Sequence, residues 1–248
     1  VPVTGAYRIQ ADGAFGGGDP SASPSHGHYA APGARAAGTF QLSAGDELTI
    51  VVGSQGGWGV AGCWQGPIGG GGGGSYVVRS YVASTARGGE PEPLLIAGGG
   101  GGSAQEASVG RNRATDGGAG RAGESGGSST NAAGGQDGHG GHAQDMCSPG
   151  NLDRDTNSGS AGAGFLSDGY DGETHRCVGS PGSQCQHLDN EAVNPATGHT
   201  SLPPFGGRSF ANGLEGGEGD PCAEAGGNHA HGGFGGGGGG CISSGGGG

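Results

Sequence analysis

The sequence contains no lysine, and all ten of its basic residues are arginine. A P-loop, a protein kinase site and a Schiff-base site each require a lysine side chain, so these reaction classes are excluded. Asp and Glu total 22, which gives a net charge of −12, and the arginines are scattered along the chain. Nucleic acid is bound through clustered positive charge, so we expect it not to be a partner.

Hydrophobic and aromatic residues are also scarce, at 30% and 5% of the chain. An average soluble domain is about 45% apolar, so a conventional core must be small. The longest apolar runs, near 48–52 and 94–97, are far shorter than the roughly 20 residues that span a bilayer. We therefore expect no membrane insertion by this segment and no typical packed enzyme.

Residues 1–97 contain nearly all the strand signal. Apolar residues alternate with polar ones at Tyr7, Ile9 and Ala11, which predicts a half-buried strand. Residues 39–53 predict a hairpin, with turn residues at 43–46 between two alternating runs. Further short runs lie at 75–83 and 93–97, and helical periodicity is absent throughout. The prediction is a mostly β fold, an antiparallel jelly-roll sandwich with almost no α-helix.

Glycine is what the chain has in excess, with 69 of 248 residues. The longest runs are 69–74, 98–102, 235–240 and 245–248, and no G-X-Y period accompanies them, which excludes collagen. One interpretation of the region from 98 onward is a disordered linker. The alternative, which we favour, is a bundle of extended threefold polyglycine II helices, rising about 3.1 Å per residue and hydrogen-bonded to one another through the backbone.

The cysteine pattern favours an extracellular protein. The even count and the lack of a CxxC pair are typical of disulfides rather than of a zinc or redox site. The spacing does not choose among the possible connectivities, although a short loop between Cys177 and Cys185 is a reasonable local pairing. The six residues are Cys63, Cys147, Cys177, Cys185, Cys222 and Cys241.

Several segments resemble the glycine-rich extracellular domain of the anaplastic lymphoma kinase and leukocyte tyrosine kinase receptors. They are VPVTGAYRIQADGAFGG at 1–17, AAGTFQLSAGDELTIVVGSQGG at 36–57, IGGGGGGSYVV at 68–78, PLLIAGGGGG at 93–102 and HGGFGGGGGGCISSGGGG at 231–248. The resemblance implies a TNF-like (tumour-necrosis-factor-like) β-sandwich with inserted polyglycine helices. It also implies a disulfide between Cys222 and Cys241. Such modules also occur in other secreted and surface proteins, so the resemblance concerns the module rather than a whole receptor.

We therefore expect one glycine-rich module over residues 1–248, strand-rich mainly in 1–97 and glycine-rich mainly in 98–248. The chain begins at Val1 without Met and stops within a glycine run, so we expect a fragment of a longer extracellular chain. Receptor members continue into a membrane helix and a kinase domain. This sequence contains neither, and no kinase activity is attributed to it.

Few residues suggest a binding or catalytic site. Asp153, Asp155 and Asn157 resemble the start of a calcium loop, but the glycine is displaced and the bidentate glutamate is missing, so a solvated acidic turn is the alternative. Trp58 and Trp64 predict either an interaction patch or a cap on the sandwich edge. Close histidine pairs, including His139 and His142, are weak metal candidates. The GESGG segment at 123–127 resembles a hydrolase nucleophile turn, but no strand and helix flank it.

The function expected from these features is that of a non-enzymatic extracellular structural or recognition module of a cell-surface or secreted protein. Its partners would be proteins, and we expect no cofactor, with calcium as the one candidate. One alternative is the ligand-binding ectodomain region of a receptor tyrosine kinase that resembles anaplastic lymphoma kinase. Another is a repeating, self-associating subunit of an extracellular filament or cell-wall assembly.

Overall fold

The structure is a computed structural model of the chain, and it describes twelve stretches of residues. Within them the chain forms short antiparallel strands and a single turn of 3₁₀ helix, η1 (Phe210–Asn212). The prediction of mostly strands in antiparallel sheets, with almost no helix, is confirmed for these residues. They are 1–18, 30–60, 67–80, 91–108, 111–115, 135–142, 160–171, 175–176, 186–187, 205–219, 230–240 and 245–248.

The first sheet consists of β1 (Gly5–Asp12) and β2 (Arg35–Leu42), which pair antiparallel. Along β1 the side chains alternate between half-buried and exposed, and Tyr7 and Ile9 face inward as predicted. On β2 the inward residues end with Leu42, which is fully buried. The period of two in the sequence therefore specifies which face of this sheet packs inward.

The second sheet has the strand order β3, β6, β7, with β3 spanning Glu47–Val51, β6 spanning Ser75–Ser80 and β7 spanning Glu92–Ala97. Its central strand β6 is buried on both faces, since Tyr76, Val77 and Val78 are each at most 4% exposed. The first sheet packs against the second through contacts of β1 with β6 and β7 and of β2 with β7. Burial on both faces explains why β6 reads as a continuous apolar run.

The predicted hairpin over 39–53 is wrong. A turn does form at 43–46, where the Asp46 N–H donates to the Ser43 carbonyl at 3.0 Å and Gly45 adopts φ 92°. However, β2 pairs with β1 and β3 pairs with β6, so the turn connects strands of different sheets. Local turn chemistry predicts where the chain reverses, but the strand partners are chosen by long-range packing.

Three smaller strand pairs complete the β structure of the described residues. They are β4 (Trp58–Val60) with β5 (Pro67–Gly69), β8 (Ala104–Ser108) with β9 (Arg111–Thr115), and β10 (His175–Arg176) with β11 (Gln186–His187). Each pair is antiparallel. The strands β8 and β9 are not predicted from the sequence, because their residues lack an alternating apolar pattern.

The glycine run at 69–74, here called the central segment, continues directly from β5 into β6 and has a repeating pattern of hydrogen bonds. Its N–H groups donate to other parts of the chain, and N–H groups three residues apart donate to the same neighbouring stretch. Gly69 and Gly72 donate to the carbonyls of Ser103 and Gly100 at 2.8 and 2.7 Å. The next pair donates to residues 57 and 54, and the third pair donates to residues 238 and 235. The direction in which successive N–H groups donate therefore repeats every three residues.

The carbonyls of the central segment are paired in the same way, with three further stretches. Residues 69 and 72 accept from the N–H groups of Gly245 and Gly248, each at 3.0 Å. Residues 70 and 73 accept from the stretch 13–17, and residue 71 accepts from Gly233. The central segment is thus surrounded by six hydrogen-bonded stretches: 13–17, 53–57, 98–103, 230–234, 235–240 and 245–248.

Further stretches extend this arrangement, which we call the glycine array. Residues 235–240 are themselves hydrogen-bonded to 69–74, 160–164, 205–209, 214–219, 230–234 and 245–248. The array is held together by backbone hydrogen bonds, and the apolar core lies where its outer stretches meet the face of β6 that carries Tyr76 and Val78. That junction positions the candidate site described next.

Candidate functional site

The apolar cluster at the junction is small and contains three aromatic rings. Tyr76 and Val78 of β6 pack with Leu214, and Phe165 and Phe210 lie against this cluster. The ring centroids of Phe165 and Phe210 are 4.9 Å apart in a stacked arrangement, and both rings lie 6.3 to 6.5 Å from Tyr76. Aromatic pairs at such distances stabilise a core beyond their buried area. Val51 and Ile96 also pack against the cluster, which therefore joins residues from five separate stretches of the chain.

The Tyr76 phenol connects this cluster to the glycine array. Its hydroxyl donates to the Gly235 carbonyl at 3.2 Å, a bond between residues 159 positions apart. Burial raises the pKa of Tyr76 to about 12. The phenol is therefore neutral over the physiological range and acts as a hydrogen-bond donor.

Asp168 organises the surface above the aromatic cluster. Its Oδ1 accepts hydrogen bonds from the Ser209 N–H at 2.7 Å and from Asn212 Nδ2 at 2.9 Å, and its Oδ2 accepts one from Arg208 at 2.9 Å. We call Asp168, Arg208, Ser209 and Asn212 the Asp168 clasp. One carboxylate thus holds both the start and the end of η1, the turn that carries Phe210 into the cluster.

The electrostatics of the clasp favour the ionised carboxylate. Partial burial acts to raise the pKa of Asp168, but the hydrogen bonds from Ser209, Asn212 and Arg208 outweigh it and bring the pKa to about 2. The same pairing raises the pKa of Arg208. Asp168 is thus a charged structural acceptor at neutral pH, a protonation state suited to holding a turn rather than to accepting a proton from a substrate.

A shallow cleft of about 250 Å³ lies beside the clasp, between the stretches 205–209 and 214–219. The two stretches pair through the N–H of Phe205 with the Glu218 carbonyl and the N–H of Arg208 with the Glu215 carbonyl. Residues three apart therefore face the same side, and the cleft is lined by Phe205, Gly206, Arg208, Glu215, Gly216, Gly217 and Glu218. Its side chains are those of one phenylalanine, one arginine and two glutamates, so the cleft offers charges of both signs.

Of the residues that the sequence singled out, Trp58 lies within the described part of the chain. It begins β4, is half-buried and pairs with Gly69, the first residue of the central segment. The histidine pair at 139 and 142 also lies within it, whereas the remaining candidates lie outside the described residues. They are Trp64, the calcium candidates Asp153, Asp155 and Asn157, the GESGG segment, and the cysteines Cys63, Cys147, Cys177, Cys185, Cys222 and Cys241.

The histidine pair at 139 and 142 makes separate contacts. His139 Nδ1 lies 3.3 Å from the hydroxyl of Ser167, and His142 stacks on Tyr170 with ring centroids 4.2 Å apart. In another close pair, His229 and His231, the ring of His231 accepts a hydrogen bond from the Gly219 N–H at 3.1 Å. Within the described ranges, no three His, Cys, Asp or Glu side chains come together as metal ligands.

The Asp168 clasp is not predicted from the sequence, although part of its signal is visible there. The segment Ser209–Phe–Ala–Asn–Gly213 combines a serine and an asparagine with a following glycine, which are common turn residues. The carboxylate that binds this turn is 41 positions away from Ser209, and no local pattern relates the two.

Two comparisons with known proteins identify no relative of the chain. A scan against protein-family models finds none that matches the chain, and a search of curated proteins finds no significant match. Separately, the described residues contain no helix long and apolar enough to cross a membrane.

Proposed function

We propose that the chain is a non-enzymatic, extracellular structural or recognition module, built from a TNF-like jelly-roll sandwich and a polyglycine II bundle. The observation that carries the proposal is the hydrogen bonding of the central segment. All six of its N–H groups and five of its carbonyls are bonded to six other stretches of the chain. A body made in this way is defined by its backbone and has few side chains with which to do chemistry.

The polyglycine II part of the proposal is supported by the period of three in the hydrogen bonds. An extended threefold helix directs successive N–H groups toward different neighbours and makes no bonds within itself. Gly70 and Gly73, three residues apart, donate to one stretch, while the intervening residues donate elsewhere. Six neighbours around one segment is the number expected for parallel rods in hexagonal packing.

The sandwich part is supported by the path of the chain between the two sheets. The turn at 43–46 leads from β2 of one sheet to β3 of the other, as in a sandwich. Arg79 on β6 donates to the Gln41 carbonyl of β2 at 3.1 Å and pairs with Asp46 in the turn at 3.6 Å. These contacts hold the two sheets together at the crossing.

The proposals of an extracellular location and of disulfides are inferred from the six cysteines and the composition. Three disulfides would stabilise a chain whose side chains bury little apolar area. The two functional alternatives, a receptor ectodomain region and a filament subunit, share this location and differ in the partner. In the first the partner is a separate protein ligand, and in the second it is another copy of the chain.

A concentration series on the non-reduced chain separates these possibilities. Light scattering and negative-stain imaging would be performed with calcium and then with EDTA, beside the matched variant Asp153→Asn/Asp155→Asn. A single mass at all concentrations supports a recognition module, whereas filaments or steadily growing mass support a structural subunit. If EDTA and the variant both abolish the growth, the acidic loop binds the metal.

Two results would contradict the proposal as a whole. One is the labelling of all six cysteines by a thiol reagent in unreduced protein secreted from cells, which would show that the cysteines form no disulfides. The other is rapid amide exchange throughout the central segment in the native chain, which would show that the glycine runs are a linker.

A further inference from the structure

Asn212 and Gly213 form the only Asn-Gly pair in the sequence. At such a pair the backbone nitrogen of glycine can attack the side-chain amide carbon of asparagine, because glycine has no side chain to hinder the approach. Both residues are accessible here, since Asn212 is exposed and a β-carbon added to Gly213 would meet nothing within 4 Å. The pair lies at the end of η1, where Gly213 adopts φ 96°.

The amide of Asn212 is also part of the Asp168 clasp. Its Nδ2 donates to Asp168 Oδ1 at 2.9 Å, beside the bond from the Ser209 N–H to the same oxygen. The hydrogen bond requires a donor at position 212, and asparagine supplies one. A carboxylate at the same position would be an acceptor facing another acceptor, with like charge.

We propose that Asn212 is a site of spontaneous hydrolytic modification, and that its conversion to an acid opens the Asp168 clasp. In the first step a bond forms between Gly213 N and Asn212 Cγ. The bond from Cγ to Nδ2 breaks, and the amide nitrogen takes the proton lost by Gly213 N and leaves as ammonia. The product is a five-membered imide ring.

In the second step water opens the ring. Its hydroxyl adds to one of the two ring carbonyl carbons, the bond from that carbon to the ring nitrogen breaks, and the nitrogen regains a proton. Attack at one carbon gives aspartate, and attack at the other gives isoaspartate, in which the main chain runs through the former side chain. Overall, one amide and one water become one carboxylic acid and one ammonia, with no change in oxidation state.

The conversion and the clasp affect each other. While Nδ2 is held by Asp168, the amide carbon is not free to turn toward Gly213 N, so the closed clasp slows the reaction. After conversion the donor is lost and two carboxylates face each other, so the clasp cannot close again. The modification is therefore a one-way change that releases η1 and its Phe210 from the aromatic cluster.

The first test follows the reaction in the full, non-reduced chain. The chain is incubated in warm neutral buffer, and aspartate and isoaspartate at position 212 are quantified by peptide mapping with mass spectrometry. We expect conversion in the wild type and about tenfold faster conversion in Asp168→Ala, which lacks the hydrogen bond. The matched variant Asn212→Gln keeps an amide donor but closes its ring far more slowly, so it should stay unmodified. A wild-type chain that remains unconverted while its urea-unfolded form converts would overturn the proposal.

The second test measures the consequence directly and does not depend on Asp168→Ala folding. Chymotrypsin cleaves after Phe and Leu, so cleavage after Phe210 and Leu214 reports opening of this turn. We expect these two cuts to be about tenfold faster in Asn212→Asp than in Asn212→Gln, with cleavage after the already exposed Phe15 unchanged. Equal rates at Phe210 in the two variants would show that an acid at 212 does not open the clasp.

Discussion

Gly73 illustrates the structure at the scale of a single residue. Its N–H donates to Ser54 at 3.0 Å and its carbonyl accepts from Ala14 at 3.0 Å. A β-carbon added to Gly73 would overlap the Phe234 carbonyl oxygen, which is a fixed backbone atom. Glycine is required here because the neighbouring chains come close, and not because of an unusual backbone angle.

We expect Gly73→Ala to lower the free energy of unfolding by about 3 kcal/mol, because the overlap forces two stretches of the array apart. The matched control is Gly5→Ala at the start of β1, where an added β-carbon would meet nothing within 4 Å. The control should change stability by less than about 1 kcal/mol. Denaturant unfolding of the two variants measures both effects, and equal effects would contradict close packing of the array.

Asp168 gives a pH prediction at the same scale. Because its folded pKa of about 2 lies below its usual value, ionised Asp168 stabilises the fold at neutral pH. That contribution is complete above about pH 5 and is lost as the pH falls from there toward 2. We expect Asp168→Asn to destabilise the neutral chain by about 1 kcal/mol, after allowance for solvent screening.

Thermal unfolding of Asp168→Asn between pH 2 and 7 checks this, with Asp137→Asn as the control in an exposed turn. The difference between wild type and Asp168→Asn should shrink as the pH falls. A difference that stays constant down to pH 2 would rule out ionisation of Asp168 as the cause.

At the scale of the elements, β6 connects the two kinds of structure. It pairs with β3 and β7 through its backbone, and its Tyr76 hydroxyl reaches Gly235 in the array. Ile50 of β3 is 67% exposed although it is paired with the buried Val77. The buried side chains of this sheet are thus concentrated on its central strand.

We expect Tyr76→Phe to keep the packing of the ring but to cost about 1 kcal/mol, because one buried hydrogen bond is lost. Gly235 O retains the bond from Gly74 N at 2.9 Å, so the carbonyl is not left unpaired. Burial raises the pKa of Tyr76, so the unfolded phenol ionises first, and wild-type stability should fall as the pH rises from about 10 to about 12. Unfolding measured across this range should show a smaller fall for Tyr76→Phe, and an identical fall would contradict a buried phenol.

These elements also show how much the sequence predicts. The alternation in β1 identifies its inward face correctly, because the pattern and the burial are both local. The pairing of β2 and β3 was predicted wrongly, because partner choice depends on sheets that form from distant residues. The Asp168 clasp was missed for the same reason, since its carboxylate and its turn are 41 positions apart in the sequence. Leu214 is a further case, because it is buried with φ 61°, a backbone conformation that residues other than glycine rarely adopt.

At the scale of the whole molecule, the array makes a prediction about amide exchange. The central segment forms no α-helix, yet its N–H groups are bonded and its residues are buried. We expect hydrogen exchange at 69–74 to be as slow as in β6, and exchange at the exposed Gly213 to be much faster. Mass spectrometry of overlapping peptides measures this, and fast exchange at 69–74 would contradict a permanently paired array.

The neighbours of the central segment have a consequence for synthesis of the chain. Residues 13–17 bond to one side of it, and residues 245–248 bond to another. During synthesis, residues 13–17 therefore leave the ribosome long before residues 245–248 are made. Backbone groups whose partners are not yet made remain hydrogen-bonded to water until then. Contacts between such distant residues slow folding, because a long loop must close before any bond forms. We expect refolding to be slow for a chain of this size, and expect truncation before residue 245 to leave the Gly69 and Gly72 carbonyls without partners.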